Sequence, residues 1–323
     1  MVTNNSCDYS PTQYNVQTGG ANGILNNVSP SATSGVPVIS QGASAQPVFG
    51  TAVVAGGGTG ATSFTAYGVV LGGTTSTGAL QSVTPSATTT AMLTSGGASA
   101  VAAWKNLSTN IQVFTSSGTY TATSGMVYCI VECLGSGAAG GGAASNASNQ
   151  VSSGGSGGAG EYRRGSFSAA TIAGSQSVTI GAAGTGNSGA TGGNGGNVSF
   201  GSLITANGGS GGVSVQVTGS SCSGGGGAGG TGGSGGTVIV SGNPGLNGFS
   251  NTGIVNAPTG GSSFFGGAGR GATSNVVNST ATGSAATGYG SGGAGSGANT
   301  SAGPTTGANG SAGVVVVTEF IIS

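Results

Sequence analysis

Two glutamates, Glu132 and Glu161, are the residues most suited to chemistry, because a carboxylate pair flanking a sugar can act as acid and base in glycoside hydrolysis. Glu161, however, lies beside Arg163 and Arg164, and an ion pair anchoring the start of a strand accounts for that spacing more simply. The run Gly135-Ser136-Gly137-Ala138-Ala139-Gly140 has the spacing of a dinucleotide-binding turn and follows an apolar stretch. Such a turn must open a helix whose N-terminus faces a pyrophosphate, and the Gly-Gly-Ala-Ala-Ser-Asn that follows has no apolar period. Gly154-Gly155-Ser156-Gly157-Gly158 imitates a nucleophile elbow. The chain has no histidine, so a Ser-His-Asp site cannot be built around it, and the usual general base and metal ligand are missing too. No Gly run leads into Lys-Ser or Lys-Thr, which excludes a phosphate-binding P-loop. The expectation is a protein that is not an enzyme, with no catalytic residue, no cofactor and no metal.

Charge narrows the partners. Four basic and four acidic residues in 323, with a net charge of zero, cannot neutralise a run of phosphates, so no nucleic-acid partner is expected. Apolar runs such as 314–317 fall far short of the roughly 20 residues that span a bilayer, so no membrane insertion is expected either. The polar start, 1–10, lacks the basic-then-apolar layout of a secretory signal, which points to synthesis and assembly in a cytoplasm. The four cysteines (Cys7, Cys129, Cys133, Cys222) are too few and too scattered for a disulfide framework and read as reduced packing residues.

The elements that would position any site begin with a duplication. Val28-Ser29-Pro30-Ser31-Ala32-Thr33 recurs as Val83-Thr84-Pro85-Ser86-Ala87-Thr88, and at the same offset Gly42-Ala43-Ser44-Ala45 matches Gly97-Ala98-Ser99-Ala100 while Phe49 falls opposite Trp104. Each copy has too little apolar mass to fold alone and needs neighbours, by stacking or by trimerising around an axis. A disordered linker is the alternative. Strands are expected at 111–115, 119–121, 126–134, 176–180, 198–200, 237–240 and 314–322. In 126–134 a period of two puts Val127, Cys129, Val131 and Cys133 on one face and Tyr128, Ile130, Glu132 and Leu134 on the other, the pattern of a central strand.

Most of the 75 glycines lie beyond Leu134, in runs without the strict third-residue repeat of collagen. A Gly/Ser tether is one reading. The other is a bundle of extended polyproline II-type helices, three residues per turn, that bond N–H to C=O laterally because no side chains intervene. On that reading 224–236 is a packed rod in which Gly226 and Gly233 have no room for a side chain. Four Gly-poor stretches, 143–153, 213–223, 246–259 and 272–287, then become the loops between rods, rich in Asn, Ser and Thr with an occasional aromatic. They are either tolerated spacers or a recognition surface on a rigid scaffold. The candidate contact residues, chosen on composition, are Asn146, Asn149, Gln150, Val215, Gln216, Phe249, Asn251, Asn256, Asn275, Asn278 and Tyr289.

Taken together these residues resemble the distal parts of tailed-bacteriophage tail fibres. Residues 56–78 are similar to a recurrent fibre-shaft motif and 85–104 to the unit that follows it. The stretch Val113-Phe114-Thr115-Ser116-Ser117-Gly118-Thr119-Tyr120, then 126–132, Ser199-Phe200-Gly201-Ser202-Leu203 and 314–320 resemble Gly-rich fibre-tip domains. The resemblance implies a receptor-binding tip whose loops contact an outer-surface protein or glycan of the host, partnership with other tail proteins, and a virion location. It also implies an attachment segment at 1–18, a shaft at 19–106 with repeat units 24–50 and 79–106, and a Gly-rich tip at 107–323. The fold expected is mainly β with almost no α-helix: a β-repeat shaft, a small β-sandwich and a packed polyglycine bundle. A homotrimer is expected from the shaft, a monomeric cap being the alternative. A structural fibre subunit without specific recognition is the competing function.

Overall fold

The computed structural model describes residues 15–19, 25–53, 58–98 and 100–323, so most of the 1–18 segment and Cys7 lie outside the described residues. The chain divides into two compact units, Met1–Asn106 and Leu107–Ser323.

The first unit is a series of short antiparallel hairpins, and the duplication reappears in their registers. Val38 pairs with Phe49 and Ile39 with Val48; in the second copy Leu93 pairs with Trp104 and Thr94 with Ala103. The turns match as well. Gly42 (φ 91°) and Gly97 (φ 82°) occupy the left-handed region that glycine enters without a Cβ penalty, and their amides donate to Ser40 Oγ and Ser95 Oγ. Among the described residues of this unit Val28 is the one buried hydrophobic side chain, while Leu25, Val38, Val48 and Met92 stay exposed.

The second unit is mainly β, made of small antiparallel sheets with a single four-residue helix, Ala169–Ile172, capped by Ser168 Oγ accepting from the Thr171 amide. One sheet orders Val238–Val240, Tyr162–Ser168, Met126–Leu134, Val314–Ile322 and the last residues of Ala103–Phe114. It packs on a second sheet of Ser234–Gly235, Ile204–Ala206, Val198–Phe200, Ser175–Ile180 and Gly118–Thr121. Between them lies the apolar core, with Cys129, Val131, Cys133, Phe200, Ile204, Val315 and Val317 fully buried. Both lateral neighbours of Met126–Leu134 are strands, so it is a central strand of its sheet. The alternation fails at one place. A register shift between Met126 and Tyr128 sends Met126 into the core and leaves Val127 exposed, because a bulge inserts one residue and resets which face follows.

Glu319 is fully buried in this sandwich and pairs with no cation among the described residues. Four donors hold it instead: Tyr120 Oη at 2.7 Å, the Thr123 amide at 2.9 Å, Thr123 Oγ1 at 2.6 Å and Asn110 Nδ2 at 2.8 Å. Burial pushes its pKa up, but these hydrogen bonds outweigh burial and bring it down to about 2. No helix among the described residues is long and apolar enough to cross a membrane.

Beyond Leu134 the Gly runs are packed rods. In the rod 135–142, the amides of Gly135, Ala138 and Gly141 donate to Glu161, Gly158 and Gly155; those of Ser136, Ala139 and Gly142 to Gly196, Gly193 and Ala190; those of Gly137 and Gly140 to Ser311 and Ala308. Every third amide thus meets the same neighbour, which is the signature of three residues per turn. Carbonyls of the same rod accept from Gly184, Gly209 and Gly293, giving it six neighbouring segments. The rod 155–161 repeats the scheme, donating to 207–213, 243–246 and 290–293 at 2.8–3.0 Å. A Cβ built on Gly137 or Gly160 would fall well inside the 3.0 Å that real Cβ atoms respect, against the carbonyls of Ser291 and Gly135. The run 224–236 departs from a single rod. Its first part is laterally bonded, but Gly232, Gly235 and Gly236 have φ of 79°, 68° and 74°, and Ser234–Gly235 pairs with Ile204–Thr205 as a sheet edge.

Candidate functional site

The rods run back and forth between the apolar sandwich and an opposite end. Rod 135–142 leaves the sandwich at Leu134 and delivers the chain to 143–149; rod 155–161 brings it back antiparallel to Tyr162. Rods 207–213, 242–247, 266–271 and 290–295 likewise run outward, so all four Gly-poor stretches, plus a fifth at 296–304, meet at the far end.

These stretches are not open loops. They form two four-stranded sheets, one of Ser214–Thr218, Gln150–Gly154, Ser296–Ala298 and Thr280–Thr282, the other of Ser221–Gly224, Gly248–Asn251, Val255–Ala257 and Ala272–Ser274. Val255, Ala257 and Ala281 pack between them. Side chains are needed here to fill a sheet-to-sheet gap, which is why glycine is scarce.

What is left as turn is short and closes into a ring. The Gly219 amide donates to the Asn149 carbonyl, Thr252 to Ser220, and Ser301 to Ala147. Val255 pairs with Ser274. Asn299 Nδ2 donates to the Val276 carbonyl and Asn299 Oδ1 accepts from the Ser279 amide, both at 2.6 Å. Five turns from distant parts of the sequence are thereby tied edge to edge.

The candidate residues separate into three groups. Asn146, Gln150, Gln216 and Asn251 are spent on holding the ring. Asn146 is buried and donates to the carbonyls of Ala298 and Asn299 while its Oδ1 accepts from Gln216 Nε2. Gln150 Oε1 accepts from the Ala147 amide, and Asn251 Oδ1 from the amides of Gly253 and Ile254. Asn149, Asn256, Asn275 and Asn278 are exposed, with side-chain amides that have no partner among the described residues; Phe249 is exposed and Val215 half-buried. Asn278 holds a left-handed φ of 56°, which Asn tolerates in turns. Tyr289 is not with the others. It sits at the sandwich end, its carbonyl accepting from Ser263 Oγ, next to the ring stack of Tyr162 on Phe264 with centroids 3.8 Å apart.

Composition did not single out Val276 and Val277, 63% and 64% exposed at the tip of one turn, nor Asn299, whose fully buried amide fastens that turn. Their signal, a β-branched pair inside an Asn/Ser stretch, is indistinguishable from a strand.

Both carboxylates considered for acid–base work are already engaged. Glu161 is fully buried and ion-paired with Arg163 at 2.9 Å, its second oxygen accepting the amides of Asn207 and Gly233. Arg163 also donates to the Gly235 carbonyl, whereas the side chain of Arg164 is exposed. The expected ion pair is therefore with Arg163 alone. Glu132 accepts from Tyr162 Oη. The thiols of Cys129, Cys133 and Cys222 are buried and free, and burial pushes them up to about 11, 12 and 11. No group of three potential metal ligands occurs among the described residues.

An apolar sandwich at one end, a backbone-bonded rod bundle and a turn-bearing cap define a glycine-rich β domain. The chain belongs to the glycine-rich domain family, whose model matches residues 112–319, from the last residues of the Ala103–Phe114 strand into the Val314–Ile322 strand. No curated protein matches the sequence.

Proposed function

We propose that this chain is a tail-fibre adhesin of a tailed bacteriophage that binds a protein or glycan on the bacterial outer surface through the turns of its far end. The observation that carries the reading is the convergence of five turns, separated by up to about 150 residues in sequence, on one end of the rod bundle. Free amides at Asn149, Asn256, Asn275 and Asn278, with exposed Phe249, Val276 and Val277 among them, make a neutral surface suited to hydroxyls, peptide groups and small apolar patches. The test is exchange of 246–259 and 272–287 for those of a relative with another host. Labelled chain should then change the cells it adheres to, with its melting unchanged. Unchanged adhesion with an intact fold would instead favour a structural fibre subunit.

Assembly as a homotrimer with other tail proteins in the virion, after folding in the host cytoplasm, belongs to the same proposal. Its support is the first unit, whose hairpins leave their apolar side chains exposed. Mass measurement in native buffer should give three copies; a stable monomer would remove this part.

A further inference from the structure

Beside the far-end ring, on the outer face of the sheet Ser221–Gly224, Gly248–Asn251, Val255–Ala257 and Ala272–Ser274, registers align four exposed side chains in one row: Ser223, Phe249, Asn256 and Thr273. The row runs into a groove of about 410 Å³ that Asn256 and Thr273 share with Leu246, Asn247 and Arg270. Arg270 is exposed, and its guanidinium has no hydrogen bond or ion pair among the described residues; only its backbone is used, by Ser284. It is also the single charged side chain of the far half of the bundle, since Glu161 and Arg163 are buried at the sandwich end and Glu132, Arg164 and Glu319 belong to the sandwich itself.

We propose that this groove and row bind an anionic saccharide, a sugar ring bearing a carboxylate or a phosphate. The Phe249 ring offers an apolar platform for the C–H face of a sugar. Asn256 and Thr273 supply donors and acceptors that can meet hydroxyls in either sense, while Ser223 Oγ, which donates to the Gly248 carbonyl, is left to accept. Leu246 walls the groove, and the unpaired Arg270 fork matches a carboxylate or phosphate edge with two parallel hydrogen bonds. A neutral sugar would leave that guanidinium unused. The inference rests on the adhesin reading and adds to it the chemistry of one ligand.

The experiment titrates the full chain with a trigalacturonate, a sugar phosphate such as mannose 6-phosphate, and neutral maltotriose, for wild type, Arg270→Gln, Arg270→Lys and Phe249→Ala. At least one anionic probe should bind tenfold or more tighter than maltotriose. Arg270→Gln should abolish that preference, Arg270→Lys should keep part of it, and Phe249→Ala should weaken every sugar alike. A preference for the uronate assigns an acidic polysaccharide as the source, and one for the phosphate a phosphorylated surface sugar. Equal binding of neutral and anionic probes, an unchanged preference in Arg270→Gln, or no binding of any sugar overturns the proposal. Cell adhesion separates the two claims: wild type and Arg270→Gln adhering equally would sink the saccharide site and spare the adhesin, whereas a wild type that adheres to no host would sink the adhesin.

Discussion

The two halves of the Leu107–Ser323 unit are held together by different physics. The sandwich buries Phe200, Ile204, Val131 and Val317 and is an ordinary hydrophobic core. The rods bury almost no hydrocarbon; their central members satisfy nearly every amide and carbonyl by bonding sideways to six neighbours. Glycine is the residue that loses most backbone freedom on folding, so each rod starts at an entropic disadvantage. A lateral hydrogen bond contributes only about 1 kcal/mol net, and it is the density of such bonds that offsets the loss. Each half is therefore vulnerable in its own way, the sandwich to lost volume and the bundle to added volume.

The largest effect is expected from adding volume to a central rod. Gly160→Val puts a branched side chain against the Gly135 carbonyl, separates two rods and forfeits several lateral bonds at about 1 kcal/mol each, comparable to a domain's whole margin. We expect no folded far end by hydrogen exchange or proteolysis. The same change at Gly267, which has nothing within 4 Å, should leave melting unchanged, and loss of the fold there would refute the steric account. In the sandwich, Phe200→Ala should cost about 3–5 kcal/mol through a cavity next to Tyr120, read as a lower denaturant midpoint.

A smaller effect sharpens the contrast through pH. The Glu319 pKa lies near 2 in the folded sandwich, below its ordinary 4.5, so the unfolded chain takes up its proton first as pH falls. The stability from this carboxylate is fully present above about 4.5 and is lost between there and about 2, on the order of 3 kcal/mol in all. Glu319→Gln should flatten that part of the stability-versus-pH curve. The backbone bonds of the rods carry no titratable atom, so exchange rates in 135–142, corrected for intrinsic chemistry, should not follow the same transition. A parallel loss in both halves would show that they unfold as one.

The strands that make the sandwich were legible because β-branched runs such as Val314–Ile322 announce themselves, and Val198–Phe200 likewise coincides with its expected bounds. The far-end strands were not. Ser221–Gly224, Ser296–Ala298 and Thr280–Thr282 consist of Ser, Gly, Ala and Thr with one Cys, and they pair because the rods bring them together. Rods could be inferred from glycine density, since close approach excludes side chains, but the end of the rod within 224–236 depends on φ at Gly232, Gly235 and Gly236, which composition does not reveal. At the far end, Asn content marked stretches that reach the turn ring without distinguishing Asn146, which points inward, from Asn149, which does not. Arg270 went unnoticed because one cation in a glycine run has no pattern until its groove exists.

The sideways bonding of the rods also has a mechanical consequence. Bonds lying across the rod axis meet a pull between the sandwich and the turn-bearing end in shear, so many must give way together before one rod slides past another. Tension entering at a single turn passes from rod to rod through six neighbours and spreads over the cross-section within a few residues. The bundle is thereby built to transmit force along its length as a stiff strut, and its weakest point under load is the short hydrogen-bonded turn where that force is applied.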